Sequence, residues 1–245
     1  MCTNPFIPKG RARIAIIDGR ASHKVKKGLK LLGVNAIYTC KCDELYESIS
    51  YHPDIVIHPI DYNKVIVAPN VYDYYNEILP FYGVKVIKGE KKLGRNYPDN
   101  IAYNVARISR YAIHNTNFTD EKLKFYLEKE GVEFIHVKQG YSKCSLAIIS
   151  EKACITSDPS IYKELIKHSV DVLMIEAGFI ELPGLNYGFI GGATGILSKK
   201  ELLVSGTLIE HPSLNRINEF LRKHKIKIHY LSNKKIIDIG SIITF

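Results

Sequence analysis

Five stretches of the chain repeat one local pattern, and this repetition constrains the fold more than any single motif. Each stretch reads as an apolar strand, a corner of small or polar residues, a helical segment and a second apolar strand. Counted from the strand residues before each corner (Ile16, Ile66, Ala112, Cys154 and Leu203), the steps are 50, 46, 42 and 49 residues. Steps of this size are typical of repeated supersecondary units, which bury a continuous core by packing against one another.

A pair of apolar strands precedes most of the predicted helices. In the second unit, for example, residues 54–60 and 64–68 read as strands joined by the turn Asp61-Tyr62-Asn63. An ordinary three-layer α/β sheet instead places single strands between helices. The pattern therefore favours ββαβ units, each with an inner strand that precedes the corner.

The repeated unit is incomplete at both ends of the chain, in complementary ways. The first unit lacks an inner strand before residues 13–18, and the apolar residues 236–244 have no outer partner of their own. We therefore expect residues 236–244 to pair beside residues 13–18, which leaves no sheet edge exposed. The sequence predicts one domain over residues 1–245, a five-unit ββαβ α/β-propeller closed by its N- and C-terminal strands around a central channel.

The composition is that of a globular protein, with 46% hydrophobic and 24% charged residues. No apolar run reaches the roughly 20 residues of a membrane span, and the N-terminus lacks the pattern of a signal peptide. The five cysteines are too few, and odd in number, for a disulfide scaffold. Cys40-Lys41-Cys42 is too closely spaced for a zinc site. We expect a cytoplasmic protein without membrane contact, metal or cofactor.

The formal net charge of +9 is spread along the chain. The two densest basic groups carry no interleaved aromatic residues, so solvated helix faces are favoured over nucleic-acid binding. A small-molecule ligand in the central channel is the partner that we expect, and the sequence carries no signal for a particular oligomeric state. The two groups are Lys24, Lys26, Lys27 and Lys30, then Arg222, Lys223, Lys225 and Lys227.

Polar residues interrupt the otherwise apolar inner strands. A buried polar group without a partner costs about 1–3 kcal/mol, so this set must pair internally or face a wet channel. Its mixture of Lys, Arg, Asp and His suits an anionic or zwitterionic small ligand. The set comprises His58, Asp61, Asn104, Arg107, Gln139, Tyr141, Lys143, Cys144, Thr194, Asp238 and Ser241.

Cys144 has two interpretations, a nucleophile or a small buried core residue. On a strand spanning residues 143–149, the adjacent Lys143 would point to the opposite face and would activate the thiol poorly. Arg107 or His58, on other strands, would then be the groups that lower its pKa.

Three further residues also keep two interpretations each. His58 either faces a ligand or is a core histidine with its hydrogen bonds satisfied. Asp238 either holds a cation or caps a turn against the opening strand. Arg107 either contacts a ligand or forms a structural ion pair with Asp54 or Asp61.

Four segments give the chain a resemblance to a known fold. Together they resemble the guanidino-group-modifying enzymes, also called penteins, and in particular a bacterial family of unknown function placed in that fold. Penteins include arginine deiminase, agmatine deiminase, dimethylarginine dimethylaminohydrolase and the amidinotransferases. The segments are Asn104-Val105-Ala106-Arg107-Ile108, Gln139-Gly140-Tyr141-Ser142-Lys143-Cys144, Gly188-Phe189-Ile190-Gly191-Gly192-Ala193-Thr194-Gly195 and Asp238-Ile239-Gly240-Ser241.

The resemblance implies cysteine chemistry on a guanidinium carbon, with a histidine that moves protons and carboxylates that hold the cation. The last inner strand, residues 238–245, contains no Cys, and Tyr141 stands where the His is expected. The implied function is a hydrolase or transferase with a nonstandard site, acting on a guanidino- or amino-acid-like ligand. Cys144, His58 and Asp238 form its catalytic set, and the other polar residues listed above bind the ligand. The alternative is a noncatalytic ligand- or partner-binding protein.

Overall fold

The structure, a computed structural model, describes residues 4–245, so Cys2 lies outside the described residues. Over this range the strands form five separate three-stranded sheets and no closed sheet. In the order in which the strands lie side by side, the sheets are β15 (Ile243–Thr244), β1 (Ile14–Ile17) and β2 (Asn35–Tyr38); β3 (Ile57–Asp61), β4 (Lys64–Val67) and β5 (Lys85–Lys88); β6 (Ala106–Ile108), β7 (Tyr111–His114) and β8 (Glu133–His136); β9 (Leu146–Ser150), β10 (Ala153–Thr156) and β11 (Asp171–Met174); and β12 (Thr194–Ser198), β13 (Glu201–Val204) and β14 (Lys227–Tyr230).

Every sheet has the same pairing pattern. Its middle strand is antiparallel to one neighbour and parallel to the other, as β4 is to β3 and β5. Each of the five residues from which the sequence repeat was counted lies in a middle strand. Parallel pairing requires a crossover, and in each sheet a helix supplies it. The mixed α/β class expected from the sequence is therefore confirmed.

The pairing of the chain's two terminal strands is also present. Ala15 and Ile16 of β1 pair antiparallel with Thr244 and Ile243 of β15. The strand is shorter than the predicted range 236–244, because the carboxylate of Asp238 accepts a hydrogen bond from the backbone N–H of Gly240 and turns the chain. Gly240 and Ser241 have φ angles of +66° and +71°, which are incompatible with an extended strand.

Seven α-helices lie among the described residues, and each long one presents an apolar stripe to the sheets. Residues four apart on one helix face are buried, such as Val25 and Leu29, or Leu123 and Leu127. No helix among residues 4–245 is long and apolar enough to cross a membrane. The helices are α1 (His23–Leu31), α2 (Pro53–Val56), α3 (Tyr72–Ile78), α4 (Glu121–Lys129), α5 (Ser142–Ser145), α6 (Pro159–Lys167) and α7 (Leu214–Lys223), with 3₁₀ turns at Glu47–Ile49, Pro69–Val71 and Leu79–Tyr82.

Asp120 caps the N-terminus of α4, since its carboxylate accepts the hydrogen bond from the backbone N–H of Leu123, at 2.8 Å. The neighbouring Thr119 hydroxyl is 2.6 Å from Nδ1 of the buried His114. A carboxylate at this position also interacts favourably with the positive end of the helix dipole.

Two inner strands begin later than predicted, because a helical turn precedes each. Residues 54–56 belong to α2, and residues 143–145 belong to α5. Pro53 is favoured at the first position of a helix and starts α2, and the N–H of Ser145 donates to the carbonyl of Tyr141. These turns place the side chains of Asp54 and Cys144 at the ends of the inner strands rather than along them.

Removing the apolar side chain of Ile243 should measure how much the terminal strand pair stabilises the protein. The side chain is 1% exposed and belongs to the main core. Ile243→Ala is expected to lower the free energy of unfolding by about 2–5 kcal/mol, as buried Ile-to-Ala changes do. Chemical denaturation measures this, with Ile209→Ala at a 73% exposed position as the control, expected to change stability by less than about 0.5 kcal/mol. Equal effects of the two substitutions would contradict the account.

Candidate functional site

A cavity of about 270 Å³ opens where α5, the residues before α2 and the chain around Asp238 meet. The loop between β11 and β12 covers one side of it. Its lining combines three ionisable or nucleophilic side chains with the rings of three tyrosines and one phenylalanine, three aliphatic side chains and the amide of Asn186. The lining residues are His52, Cys144 and Asp238; Tyr46, Tyr141, Tyr187 and Phe189; and Ile49, Leu182, Leu185 and Asn186.

Cys144 contacts a carboxylate rather than a cation. Its Sγ atom lies 3.2 Å from each carboxylate oxygen of Asp54 and donates a hydrogen bond to that group. Asn104 donates to the same sulfur through Nδ2, at 3.1 Å. Burial raises the pKa of the Cys144 thiol well above its ordinary value, and the charges of Asp54 and Asp238 raise it further. The thiol is therefore protonated at neutral pH in the unliganded protein.

Asn104 fixes the turn that carries this cysteine. Its side-chain Oδ1 accepts hydrogen bonds from the backbone N–H groups of Lys143, at 2.8 Å, and Cys144, at 3.2 Å. Its Nδ2 also donates to the carbonyl oxygen of Asp54, at 3.0 Å. Asn104 thus joins α2 to α5 and is a positioning residue for the thiol.

Asp54 is the centre of a buried network. Its Oδ2 accepts a hydrogen bond of 2.5 Å from the hydroxyl of Ser241. That hydroxyl in turn accepts a hydrogen bond of 2.8 Å from the amino group of Lys143. Because α5 is helical, Lys143 and Cys144 both reach this network, whereas on the predicted strand they would have pointed to opposite faces. The network links one acid, one amine, one hydroxyl and one thiol.

Lys143 is 4% exposed and is held on several sides. Besides Ser241, its amino group lies 3.4 Å from the carbonyl oxygen of Gly191 and 5.3 Å from the centre of the Phe6 ring. Burial lowers the pKa of Lys143, while the charges of Asp54 and Asp238 oppose this shift. Lys143 therefore neutralises the buried acid and is not among the side chains that line the cavity.

Asp238 lies at the floor of the cavity, held by backbone groups. Its carboxylate accepts hydrogen bonds of 2.9 Å from the N–H groups of Phe189 and Gly240. A Cβ atom at position 192 would come within 2.0 Å of its Oδ1, so the packing here requires Gly192. Burial raises the pKa of Asp238; the nearby His52 opposes the shift and Asp54 adds to it.

His52 belongs to the site, although the sequence analysis did not select it. It is 1% exposed, and its ring nitrogens lie 3.8 Å from a carboxylate oxygen of Asp238 and 3.8 Å from one of Asp18. Among the described residues neither ring nitrogen has a hydrogen-bond partner. In the sequence it is distinguished only by its position two residues before Asp54.

A second, smaller cavity lies on the other side of His52. Its volume is about 220 Å³, and it shares His52, Leu182 and Asp238 with the first cavity. The one guanidinium in its lining, that of Arg20, already binds the Asp18 carboxylate through Nε, at 3.1 Å, and Nη2, at 2.8 Å.

Tyr141 and Gln139 lie at the rim. The Tyr141 hydroxyl donates to Oδ1 of Asn100, at 2.9 Å, and lies 3.4 Å from the hydroxyl of Tyr46. Gln139 is behind the rim, where it accepts a hydrogen bond from the N–H of Tyr141 and donates to Asp158, both at 2.9 Å. Gln139 therefore positions Tyr141 and is not among the lining residues.

The remaining candidates lie away from the cavity. His58 is fully buried, with its ring 5.4 Å from that of Phe6, and burial together with the charge of Arg107 lowers its pKa well below the ordinary value. Arg107 is also fully buried, on β6. Asp61 forms an ion pair of 2.7 Å with Lys64 at the hairpin turn.

Thr194 is buried in β12, and its hydroxyl donates to the carbonyl of Gly191 at 3.3 Å. The structure thus brings together Cys144, Asp238, Asn104, Tyr141, Lys143 and Ser241 and leaves the other candidates outside. No Lys or Arg is among the cavity's lining residues, so the predicted cationic contribution to an anionic or zwitterionic ligand is missing there. Over residues 4–245, no group of three His, Cys, Asp or Glu side chains is arranged to hold a metal ion.

Removing the charge of Asp54 should make the Cys144 thiol more acidic. Asp54→Asn takes away an anion that disfavours the thiolate, so the pKa falls and alkylation by iodoacetamide begins at a lower pH than in the wild type. A fall of one pKa unit raises the thiolate fraction about ten-fold. Mass spectrometry of each cysteine across a pH series measures this.

Cys154 is the internal control for this experiment. It is fully buried in β10, so faster labelling of Cys154 would reveal a loosened fold rather than a local change. An unchanged or later onset of Cys144 labelling, with Cys154 still protected, would contradict the assigned role of Asp54.

Comparison with solved structures shows the same overall fold in several enzymes. The amidinotransferase SxtG from Microseira wollei, of the saxitoxin biosynthetic pathway, is similar with a TM-score of 0.59 at 13% identity, covering 93% of this chain and 92% of that one. A dimethylarginine dimethylaminohydrolase in its adduct with S-methyl-L-thiocitrulline gives 0.57 at 12% identity, covering 90% and 92%. The agmatine deiminase of C. jejuni gives 0.56 at 12% identity, covering 92% and 89%.

These similarities confirm the predicted resemblance to the guanidino-group-modifying enzymes at the level of fold. Among curated proteins, none matches the chain by sequence. One family model does match, over residues 16–243, and it is described as a family of unknown function, DUF6873. The match extends from the first sheet to β15, so the chain belongs to the DUF6873 family.

Proposed function

We propose that the aromatic-lined cavity binds a small organic cation with a guanidino or amino group, and that the protein is a hydrolase or transferase acting on it. The observation that carries the proposal is a buried carboxylate, Asp238, in a cavity whose lining includes no Lys or Arg. The solved structures of the same fold support the chemical class, since they are those of an amidinotransferase, a dimethylarginine dimethylaminohydrolase and an agmatine deiminase.

The charge balance favours a cation at this point. The amine of Lys143 is committed to Ser241 in the network around Asp54, whereas Asp238 is held by neutral backbone N–H groups. A buried carboxylate without a countercharge is costly, and a bound cation offsets that cost. Asp238 is therefore the residue that holds the cationic group.

A bound cation also changes the chemistry of Cys144. The same positive charge that pairs with Asp238 opposes the effect of the carboxylates and lowers the thiol pKa. The thiolate thus forms when ligand is present, with Asp54 accepting the proton through the existing contact of 3.2 Å. Sequence analysis assigned the activation of Cys144 to Arg107 or His58, and in this proposal the ligand itself supplies it.

The proposed reaction is attack of the Cys144 sulfur on the guanidino carbon. A carbon–sulfur bond forms, the thiol proton passes to Asp54, and the carbon–nitrogen bond to the leaving amine breaks. His52 lies at the cavity wall with no hydrogen-bond partner on either ring nitrogen, so it is placed to protonate the departing amine. Water, in a hydrolase, or an acceptor amine, in a transferase, then displaces the sulfur and returns the protons.

A single ring of five units is part of this proposal. The inner strand β9 contacts β6 on one side and β12 on the other, and β12 contacts β15. This sequence of neighbours supports one domain in which the inner strands surround an axis, with the cavity at their ends. The small molecule would then enter the central channel.

A second function, noncatalytic binding of a ligand or partner, is favoured by one specific observation. The Cys144 thiol is fully engaged with Asp54 and Asn104 and has a raised pKa, as a structural core cysteine does. In that case the cavity would bind its cation without bond cleavage.

Two variants separate these functions. Calorimetry with agmatine, arginine and simple guanidinium salts is expected to show binding to the wild type and at least ten-fold weaker binding to Asp238→Asn, because the buried charge that holds the cation is gone. Cys144→Ser is expected to bind the same ligand within a few-fold but to release no ammonia or amine product. Cys154→Ser, at a buried site on β10, is the matched control.

Absence of binding by all cations, or equal binding by wild type and Asp238→Asn, would refute the proposed site. Binding without any turnover by the wild-type protein would reject catalysis and support the noncatalytic function.

A further inference from the structure

We infer that an extended acidic segment of a partner protein binds along the free edge of β14. The surface is a groove of about 550 Å³ between α1 and β14, to which the helix contributes Lys24, Lys27 and Leu31 and the strand side contributes residues 228–233. It shares no lining residue with the cavity around Asp238, so this inference is independent of the proposed function.

One edge of β14 presents backbone groups with no strand beside them. Among the described residues, β14 is the outermost strand of its sheet and pairs only with β13, in parallel. The N–H groups of Lys227 and Leu231 donate to carbonyls on the β13 side. Successive residues of a strand turn their backbone groups to opposite sides, so those of Ile228 and Tyr230 face the free edge. A further strand can add there through main-chain hydrogen bonds.

The two sides of the groove are fixed relative to each other. Gly28 of α1 packs against the end of β14, where an added Cβ atom would collide with the carbonyl oxygen of Leu231. Lys24 donates a hydrogen bond of 2.9 Å to Oδ1 of Asn233, from the helix to the strand side. The groove is therefore formed before a partner binds, which lowers the cost of ordering it on binding.

Two basic groups that lie far apart in the sequence meet at β14. α1 contributes Lys24 and Lys27 to the first groove, and α7 contributes Arg222 to a second groove, of about 490 Å³, that shares Ile228 with the first. All three basic side chains are exposed, and none of them forms an ion pair within residues 4–245. Glu219 is the one acid in the lining of either groove. The surface therefore has an excess of positive charge.

The groove also exposes apolar surface beside the free edge. Leu31 is 77% exposed and Tyr230 is 41% exposed, and the half-buried Ile228 lies between the two grooves. An extended peptide with alternating side chains would cover these groups with one face. A nucleic-acid backbone would neutralise the basic groups, but its phosphates have no N–H group to pair with the carbonyls at the free edge. The combination of features therefore favours a peptide.

The sign of the charge selects among peptide partners. Basic side chains at a sheet edge repel another basic strand, which protects the edge from indiscriminate pairing. A second copy of this chain, with its net charge of +9, is disfavoured for the same reason. The carboxylates of an acidic segment would instead meet Lys24, Lys27 and Arg222, which speeds association and specifies the partner.

A defined peptide tests the inference. In an NMR titration, a capped peptide of alternating Glu and Val is expected to bind one to one and to slow hydrogen exchange of the Ile228 and Tyr230 amides at least about ten-fold at saturation. The same peptide with every backbone nitrogen methylated keeps its charge but cannot donate, so its affinity is expected to be at least about ten-fold lower. A Lys–Val peptide of equal length is expected not to bind.

Charge reversal on the protein tests the assigned contacts. Lys27→Glu combined with Arg222→Glu removes a cation from each groove and is expected to weaken binding of the Glu–Val peptide at least about ten-fold, with a smaller effect at high salt. The matched control is Lys163→Glu with Lys85→Glu, the same change in net charge at exposed positions on α6 and on the outer strand β5. The control is expected to bind within about two-fold of the wild type. Circular dichroism confirms folding of both variants.

Several results would overturn the inference. Absence of binding would do so, as would equal binding of the fully methylated peptide or an equal loss in the control variant, since these show charge attraction alone. Tighter binding of oligouridylate, with the Ile228 and Tyr230 amides unprotected, would assign the surface to nucleic acid. Protection of these amides at high protein concentration without peptide would assign it to a second copy. None of these measurements involves Asp238, so the proposed function stands in every case.

Discussion

The carboxylate of Asp54 is the interaction on which the site depends. It is 1% exposed, and a buried charge persists only when partners surround it. Those partners come from distant parts of the chain: the thiol of Cys144 from α5, and the hydroxyl of Ser241, which also accepts a hydrogen bond from Lys143. The contacts of Asp54 therefore bring three parts of the chain together. They include the candidate nucleophile, Cys144. The same contact keeps that thiol protonated in the unliganded protein. In the function that we propose, a bound cation reverses this effect.

Glycines at two positions allow the backbone to pack closely around the polar groups of the cavity. A Cβ atom at Gly191 would fall within 2.3 Å of the carbonyl oxygen of Lys143, and one at Gly240 would fall within 2.3 Å of the Cβ of His52. The backbone can come this close at Gly191 and Gly240 only because glycine has no side chain. The result is that Asp238 and His52 lie side by side at the cavity wall, one held by backbone N–H groups and the other without hydrogen-bond partners. Gly191 and Gly240 thus shape the site through close packing.

The sequence analysis predicted the structural features that follow from repetition and composition. It missed the features that depend on irregular backbone conformation. The repeat located the middle strand of every sheet, and the polar interruptions of the inner strands pointed to Cys144, Asp238 and the network around them. Periodicity could not show the helical turn of α5, because four residues are too few to display a period, so Cys144 was expected along a strand. His58 and His52 illustrate the same limit: both lie next to α2 or close to it in the sequence, but only tertiary packing decides which one lines the cavity. Of the aromatic lining, the sequence selected Tyr141 but not Tyr46, Tyr187 or Phe189, because these three lie outside the regular elements, where spacing carries no signal.

A crystal structure with agmatine bound tests the central claim most directly, since it locates the cation relative to both carboxylates. The account predicts the ligand inside the cavity, with its guanidinium group on Asp238 and the Cys144 sulfur facing the guanidinium carbon. The backbone bonds that hold Asp238 in the free protein should persist. A cation bound elsewhere on the surface, or an empty cavity at saturating ligand in a lattice that leaves its mouth open, would contradict the account.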